Sequence, residues 1–91
     1  MSKRLREKDF VKTSELSLAA ALVYLGYPLD CLEPVDSQRL NFVFLKPEGY
    51  AEDVDQIIQN FWSDNISVSP KRYFYILKEL KSRVFAERRR V

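Results

Sequence analysis

The chain has 91 residues and a formal net charge of +2, with 46% hydrophobic and 13% aromatic residues. This composition excludes a disordered or low-complexity chain, because such chains lack the apolar residues that a core requires. At this length we expect a single domain with one small core.

The net charge is distributed unevenly along the chain. Residues 1–12 carry a net charge of +3, residues 13–69 carry −7, and residues 70–91 carry +6. The chain therefore has basic ends around an acidic middle. Charge asymmetry of this kind favours recognition of a charged partner, and it is the strongest functional indication in the sequence.

The N-terminal segment, residues 1–12, has little hydrophobic periodicity. We predict a flexible basic arm that includes Lys3, Arg4 and Arg6, with Phe10 and Val11 as candidates for packing against the fold. Residues 13–91 are expected to form a single compact domain. No basic-then-apolar signal sequence is visible, and the apolar run at residues 18–25 is too short for a membrane span. We therefore expect a cytoplasmic protein with no membrane partner.

The first predicted helix starts at Thr13, whose hydroxyl is a candidate N-cap. Its apolar residues cover much of the circumference, which indicates burial on more than one side. The run Ala19–Ala21 would allow another backbone to approach closely. Gly26 is the predicted C-terminal cap, since glycine adopts the left-handed conformation without penalty.

Two strands are predicted to follow as a hairpin. The first covers residues 29–34, where Leu29, Cys31 and Glu33 should share one face, and Pro34 favours an edge position. The second covers residues 39–45 and has apolar residues on both faces, which is typical of a central strand. A face not covered by helices could serve a partner.

Two more helices complete the prediction. The first runs from about Tyr50 to Trp62, and a short edge strand is possible at residues 66–68. The last and longest helix begins at Ser69, the candidate N-cap, with Pro70 in the first turn. Its buried stripe consists of Tyr73, Leu77, Leu80 and Val84, with Phe74, Ile76 and Phe85 at the margins. The predicted class is α+β: a small antiparallel sheet packed by three helices, in the order α-β-β-α-(β)-α.

Several short stretches carry a resemblance to a known family. They are Lys12-Thr13-Ser14-Glu15-Leu16, Leu18-Ala19-Ala20, Leu25-Gly26-Tyr27, Phe42-Val43-Phe44, Tyr73-Phe74 and Leu77-Lys78-Glu79-Leu80-Lys81-Ser82. With these, residues 12–85 resemble a family of small bacterial and phage proteins known only as a domain of unknown function. The resemblance implies a small α+β fold and a background of phage or other mobile elements. It implies no catalytic or binding residues.

Catalysis, cofactors and metals find no support in the residues. The chain has no histidine, so a His-activated nucleophile cannot form within it, and zinc lacks a ligand set. Cys31 is interpreted as an inert core residue. The acidic residues Glu48, Glu52, Asp53 and Asp55 lack the spacing of a calcium loop and fit a dipole-stabilised helix start. We expect a non-enzyme with no cofactor and no small-molecule substrate.

The basic C-terminal helix supports a nucleic-acid hypothesis. Cations spaced by one helical turn can follow a phosphate backbone, and Tyr75 could stack on a base. With the N-terminal arm, DNA or RNA binding is expected to involve the following residues: Lys71, Arg72, Tyr75, Lys78, Arg83, Arg88, Arg89, Arg90, Lys3, Arg4 and Arg6.

The basic helix could also have a different role. It could provide solubility, pair electrostatically with the acidic middle of its own chain, or bind the acidic middle of a second copy. A protein–protein module, such as an adaptor, inhibitor or accessory subunit, is the alternative function. Its support is a set of aromatic residues at helix ends, namely Tyr24, Tyr27, Tyr50 and Trp62. For Trp62, core packing is the simpler expectation.

Overall fold

The computed structural model describes residues 10–46 and 51–89, and the side chains of residues 51–53 are not described. Six elements follow in chain order: β1 (Phe10–Thr13), α1 (Leu16–Tyr24), β2 (Leu29–Pro34), β3 (Leu40–Leu45), α2 (Ala51–Trp62) and α3 (Pro70–Arg89). The fold is α+β, with a three-stranded antiparallel sheet, three helices and a long C-terminal helix. In the described ranges, no helix is both long and apolar enough to cross a membrane.

The sheet has the strand order β1-β3-β2, and both pairings are antiparallel. The predicted central strand is confirmed as β3, with Leu40, Phe42, Val43 and Phe44 buried. Pro34 ends β2, an edge strand of the sheet, as its missing N–H predicts. Phe42 and Phe44 belong to the hydrophobic core that the helices cover.

The third strand of the sheet is β1. It pairs Phe10 with Leu45 and Thr13 with Phe42, and Val11 is buried in the core. Residues 10–12 were expected to belong to the flexible arm, whereas the structure places them in the sheet. Residues 1–9 of that arm lie outside the described residues.

Two local predictions near other elements are wrong. Thr13 is not a helix cap: α1 begins at Leu16 without a side-chain cap, and the Thr13 hydroxyl accepts a hydrogen bond from the Glu15 N–H at 3.0 Å. Residues 66–68 do not form a strand. Both sides of β3 are already occupied by β1 and β2, so this three-residue segment has no central strand to join.

Helix α1 lies at the centre of the fold. Residues 18–22 are at most 4% exposed, which confirms the prediction of burial on more than one side. Ala19, Ala20 and Ala21 are at most 1% exposed, and α1 packs against α3. Gly26 has φ +94°, and the Tyr27 N–H reaches back to the Leu22 carbonyl at 3.0 Å. This geometry confirms Gly26 as the residue that terminates α1.

A β-bulge in β2 changes which side chains face the core. Leu29 pairs with Phe44 and Cys31 pairs with Val43, although strict alternation would place Leu29 and Cys31 on one face. The extra residue directs Leu29 towards the core and Cys31 outwards. The interpretation of Cys31 as a core residue is therefore wrong, since it is exposed.

The remaining two helices, α2 and α3, also contribute side chains to the core. Val54 of α2 is fully buried, while Ile57, Ile58 and Phe61 are partly buried and pack against the core. Trp62, at the end of α2, is 63% exposed. The expectation that Trp62 packs in the core is therefore wrong, because the buried stripe of α2 ends at Phe61.

Candidate nucleic-acid interface

Helix α3 is held against α1 by tyrosine hydrogen bonds at its N-terminal end. The Tyr73 hydroxyl donates to the Ser17 carbonyl at 2.7 Å, and the Tyr24 hydroxyl accepts from the Ser69 N–H at 2.9 Å. Leu80 is 3% exposed and anchors the middle of α3 in the core. These contacts fix the rotation of α3, so the opposite side of the helix is presented to solvent.

Of the predicted cations of α3, Lys71, Lys78 and Arg89 lie on that solvent side, while Arg72 and Arg83 lie at its margin. Exposed side chains include Lys71, Arg72, Lys78, Arg83 and Arg89. Their exposure leaves them accessible to a phosphate backbone without any change in the core.

Arg72 has a partner within the fold. Its guanidinium carbon lies 4.9 Å from the centre of the Tyr24 ring, which is a cation–π distance. The contact orients Arg72 towards α1, while the guanidinium keeps N–H donors for a second partner. We therefore place Arg72 at the margin of the solvent side of α3.

Three aromatic side chains are exposed among these cations. Phe74 is 62% exposed, Tyr75 is 70% exposed and Phe85 is 72% exposed. Tyr75 is exposed, as its predicted stacking on a base requires. Phe74 and Phe85, which were expected at the margins of the buried stripe, lie largely in solvent. Exposed aromatic rings beside cations are what stacking with bases requires.

Phe74 and Phe85 lie on nearly the same line along α3. They are eleven residues apart, so they differ by roughly 20° around the axis and by about 16 Å along it. Lys78 and Lys81 lie between them on this side of the helix and are exposed. We call Phe74, Lys78, Lys81 and Phe85 the aromatic-basic stripe.

The second half of α3 forms one wall of a groove. The other wall is the turn between β2 and β3, and the start of α1 contributes to the floor. Its volume is about 500 Å³. The lining residues are Ser14, Leu16, Gln38, Arg39, Leu40, Phe42, Lys81, Val84, Phe85 and Arg88. We call this the α3–hairpin groove.

The two walls of the α3–hairpin groove are joined by Arg88. Its guanidinium donates to the Gln38 carbonyl at 2.7 Å, so Arg88, predicted as a nucleic-acid contact, also ties α3 to the hairpin. The hairpin turn is ordered by Asp36, whose carboxylate accepts from the backbone N–H groups of Gln38 and Arg39 at 2.8 Å each. These hydrogen bonds, the one from Gln38 first, hold the pKa of Asp36 below its ordinary value.

Some predicted contacts cannot be placed on this surface. Lys3, Arg4, Arg6 and Arg90 lie outside the described residues. Of the acidic cluster, Glu48 and the side chains of Glu52 and Asp53 also lie outside them, while Asp55 is exposed. Over residues 10–46 and 51–89, no group of acidic and Cys side chains is arranged to hold a metal ion.

Cys31 is accessible, but its surroundings disfavour the thiolate. Partial burial, and then the neighbouring Asp30 carboxylate, raise the pKa of the Cys31 thiol above its ordinary value. On the same outer face, Lys12 and Glu33 form an ion pair at 3.3 Å across the sheet. A raised thiol pKa is the opposite of what a nucleophilic cysteine requires.

The groove and the exposure of Phe74 and Phe85 were not predicted from the sequence. The helical spacing of Phe74 and Phe85 was a usable signal, because both fall on the side of Lys78 rather than that of Leu80. Arg39 and Lys81 gave no such signal. They come together only when the hairpin turn folds against the second half of α3.

In comparisons with known proteins, no family model matches the chain, and no curated protein or solved structure matches it. The resemblance to a family of unknown function stays a prediction. A functional assignment therefore depends on the residues and their geometry.

Proposed function

We propose that this protein is a non-catalytic binding protein that holds single-stranded nucleic acid along the solvent side of α3. The observation that carries the proposal is the exposure of Phe74, Tyr75 and Phe85, each above 60%, among the cations of one helix. Lysine and arginine side chains neutralise the phosphates, and the rings stack on unpaired bases.

Solubility alone accounts poorly for this surface. A solvated helix face gains solubility from charge, whereas three exposed aromatic rings work against it. A large exposed ring next to a cation is instead a feature of binding surfaces. The rings also favour a single strand over a duplex, since bases inside a duplex do not offer a free face.

Neutralisation of the cations by the acidic middle of the chain also finds little support. Lys78 and Arg83 form no ion pair with any residue of the described ranges. Asp36 and Glu33, from the acidic middle, are paired instead with Arg39 and Lys12. The charges of Lys78 and Arg83 are thus available to an external partner.

Fluorescence anisotropy with labelled single- and double-stranded DNA and RNA tests the proposal at two salt concentrations. We expect tighter binding of single strands, weakening with salt in proportion to the phosphates contacted. Lys78→Glu and Arg83→Glu should each weaken binding and flatten the salt dependence. Lys46→Glu, the same charge change just after β3, is the matched control and should have little effect.

The aromatic contacts are tested separately from the charges. Phe74→Ser and Tyr75→Ser should each cost about 1–3 kcal/mol of binding free energy if their rings stack on bases. Trp62→Ser, which removes an equally exposed ring from α2, is the matched control. Absence of single-strand binding at low salt, or equal losses in Trp62→Ser and Tyr75→Ser, would contradict the proposal.

A protein–protein module is the second candidate, and the exposure of Trp62 favours it. Its ring lies at the end of α2, in edge contact with the Phe61 ring at 5.1 Å between centroids. Trp is enriched at interfaces, where it often supplies much of the binding energy. Analytical ultracentrifugation of wild type and Trp62→Ser tests self-association. Oligomers that persist at high salt in wild type and are absent in Trp62→Ser would support this candidate instead.

A further inference from the structure

The α3–hairpin groove combines an apolar floor with cations at its rim. Leu16, Phe42 and Val84 line it from three different elements, and Phe85 borders it with a largely exposed ring. Its volume of about 500 Å³ lies within the range typical of small-ligand sites. An apolar floor alone would fit many ligands, but the cations at the rim favour a ligand that carries a negative charge.

Three basic residues line the α3–hairpin groove, and its lining contains no acidic residue among those that the structure describes. Lys81 forms no ion pair with a described residue. Arg39 uses one N–H on Asp36, and Arg88 uses one on the Gln38 carbonyl. Each guanidinium carries five N–H donors, so both retain donors for an anion. The groove therefore fits an anion that has a flat or apolar part.

The groove is also continuous with the aromatic-basic stripe of α3. Lys81 and Phe85 belong to both, so a strand that follows the stripe from Phe74 reaches the groove at its far end. A ligand in the groove would thus contact cations and an aromatic ring, as it would along the stripe, and would in addition contact the apolar floor.

We propose that the α3–hairpin groove receives one nucleotide of the bound single strand. The base lies against Phe85 and the apolar floor, and its phosphate lies among Arg39, Lys81 and Arg88. This inference rests on the proposed function, and it adds a site for one base at the end of a surface that otherwise contacts a strand along its length. It predicts that a free mononucleotide binds weakly at the same place.

Amide chemical shifts in ¹⁵N-labelled full-length protein test this site with three probes: uridine monophosphate, uridine and inorganic phosphate. We expect uridine monophosphate to shift the amides of Gln38, Arg39, Phe85 and Arg88. Uridine and phosphate, each of which has half of the required chemistry, should produce smaller shifts at the same amides. Equal shifts from phosphate alone would overturn the inference, because the groove would then bind an anion without its base.

A charge variant in the groove wall provides the second arm. Gln38→Glu adds a carboxylate there and leaves the backbone carbonyl that Arg88 contacts. It should weaken mononucleotide binding by about fivefold or more through repulsion of the phosphate. Gln59→Glu, the same exchange at an exposed position of α2, is the matched control and should bind like wild type. Equal affinities in the two variants would also overturn the inference.

The two proposals fail in distinguishable ways. If an oligonucleotide shifts amides along Lys71–Lys78 while uridine monophosphate leaves the groove amides unchanged, the groove inference is overturned and the proposed function stands. If the oligonucleotide does not bind at low salt, both are overturned.

Discussion

Helices α1 and α2 end in the same backbone motif, but a different residue occupies its left-handed position. After α1, Gly26 has φ +94°; after α2, Asp64 has φ 62°. In each case the next residue donates its N–H to a carbonyl five residues back: Tyr27 to Leu22 at 3.0 Å, and Asn65 to Asn60 at 2.8 Å. This pattern satisfies the last carbonyls of each helix. It also allows two opposite substitutions at a left-handed position: glycine to a residue with a Cβ atom after α1, and the reverse after α2.

Gly26→Ala isolates the backbone cost of the left-handed conformation. A Cβ atom at Gly26 would meet no atom within 4 Å, so no steric clash with neighbouring residues contributes. Left-handed backbone costs a residue with a Cβ about 1–2 kcal/mol. Alanine recovers about 0.4–1 kcal/mol by restricting the unfolded chain. We therefore expect a net loss of about 1 kcal/mol in the free energy of unfolding, or about 4–8 °C in Tm.

Asp64→Gly is the reverse exchange and should stabilise the protein slightly. Glycine removes the strain at φ 62° but makes the unfolded chain more flexible, so the two effects partly cancel. The substitution also removes a negative charge from the C-terminal end of α2, where the helix dipole disfavours it. Asp64→Asn removes the charge alone, and its comparison with Asp64→Gly separates the electrostatic effect from the conformational one.

Urea denaturation monitored by circular dichroism, with thermal melts alongside, measures all three variants at one pH. We expect Gly26→Ala to be less stable than wild type and Asp64→Gly to be more stable. A Gly26→Ala protein as stable as wild type would refute the assigned cost of the left-handed backbone, because the structure offers no compensating contact for the new methyl group.

Two further predictions concern single side chains. Tyr73→Phe removes the hydrogen bond to the Ser17 carbonyl and should cost about 1 kcal/mol in urea denaturation near pH 7. Burial raises the pKa of Tyr73 in the folded protein, so the stabilisation that the neutral hydroxyl provides is complete below about pH 10 and is lost as the pH rises through the pKa of the folded state. The difference in unfolding free energy between wild type and Tyr73→Phe should therefore narrow at alkaline pH, and a constant difference would contradict this. Cys31 should react slowly with iodoacetamide at neutral pH despite its exposure, and Asp30→Asn should accelerate the reaction by lowering the pKa of the thiol. Mass spectrometry measures both rates, and an unchanged rate in Asp30→Asn contradicts the assigned role of that carboxylate.

Elements with strong periodicity could be predicted from the sequence. The continuous apolar turn at residues 18–22 indicated the buried helix α1, and the apolar residues on both faces of β3 indicated a central strand. The buried stripe of α3 likewise followed from spacings of three and four residues. In each case the signal lies within one element, so no knowledge of distant contacts is needed.

Features that depend on distant contacts could not be predicted in this way. Strand β1 has four residues in a charged segment, and it is stabilised by pairing with β3 some thirty residues later in the chain. The bulge in β2 is invisible to an alternation pattern, and it alone decides that Cys31 faces outwards. Local propensity has little influence where the tertiary pairing determines the structure.

The candidate site follows from a difference in length between the two helices that pack on each other. α1 has nine residues and spans about 14 Å, whereas α3 has twenty and spans about 30 Å. The contacts of Ser69 with Tyr24 and of Tyr73 with Ser17 show that the helices run in opposite directions, aligned at the N-terminal end of α3. The second half of α3 therefore extends beyond the start of α1.

Beyond that point, the described residues that line the α3–hairpin groove with α3 come from the start of α1, from β3 and from the hairpin turn. Val84 still reaches the core, but Phe85 finds no α1 surface to cover it and stays 72% exposed. The hydrogen bond from Arg88 to the Gln38 carbonyl joins the end of α3 to the hairpin turn across the groove. A longer α1 would fill this space with apolar side chains. The short α1 leaves an apolar recess beneath a basic helix, and this recess is where we propose that a base from a bound strand leaves solvent.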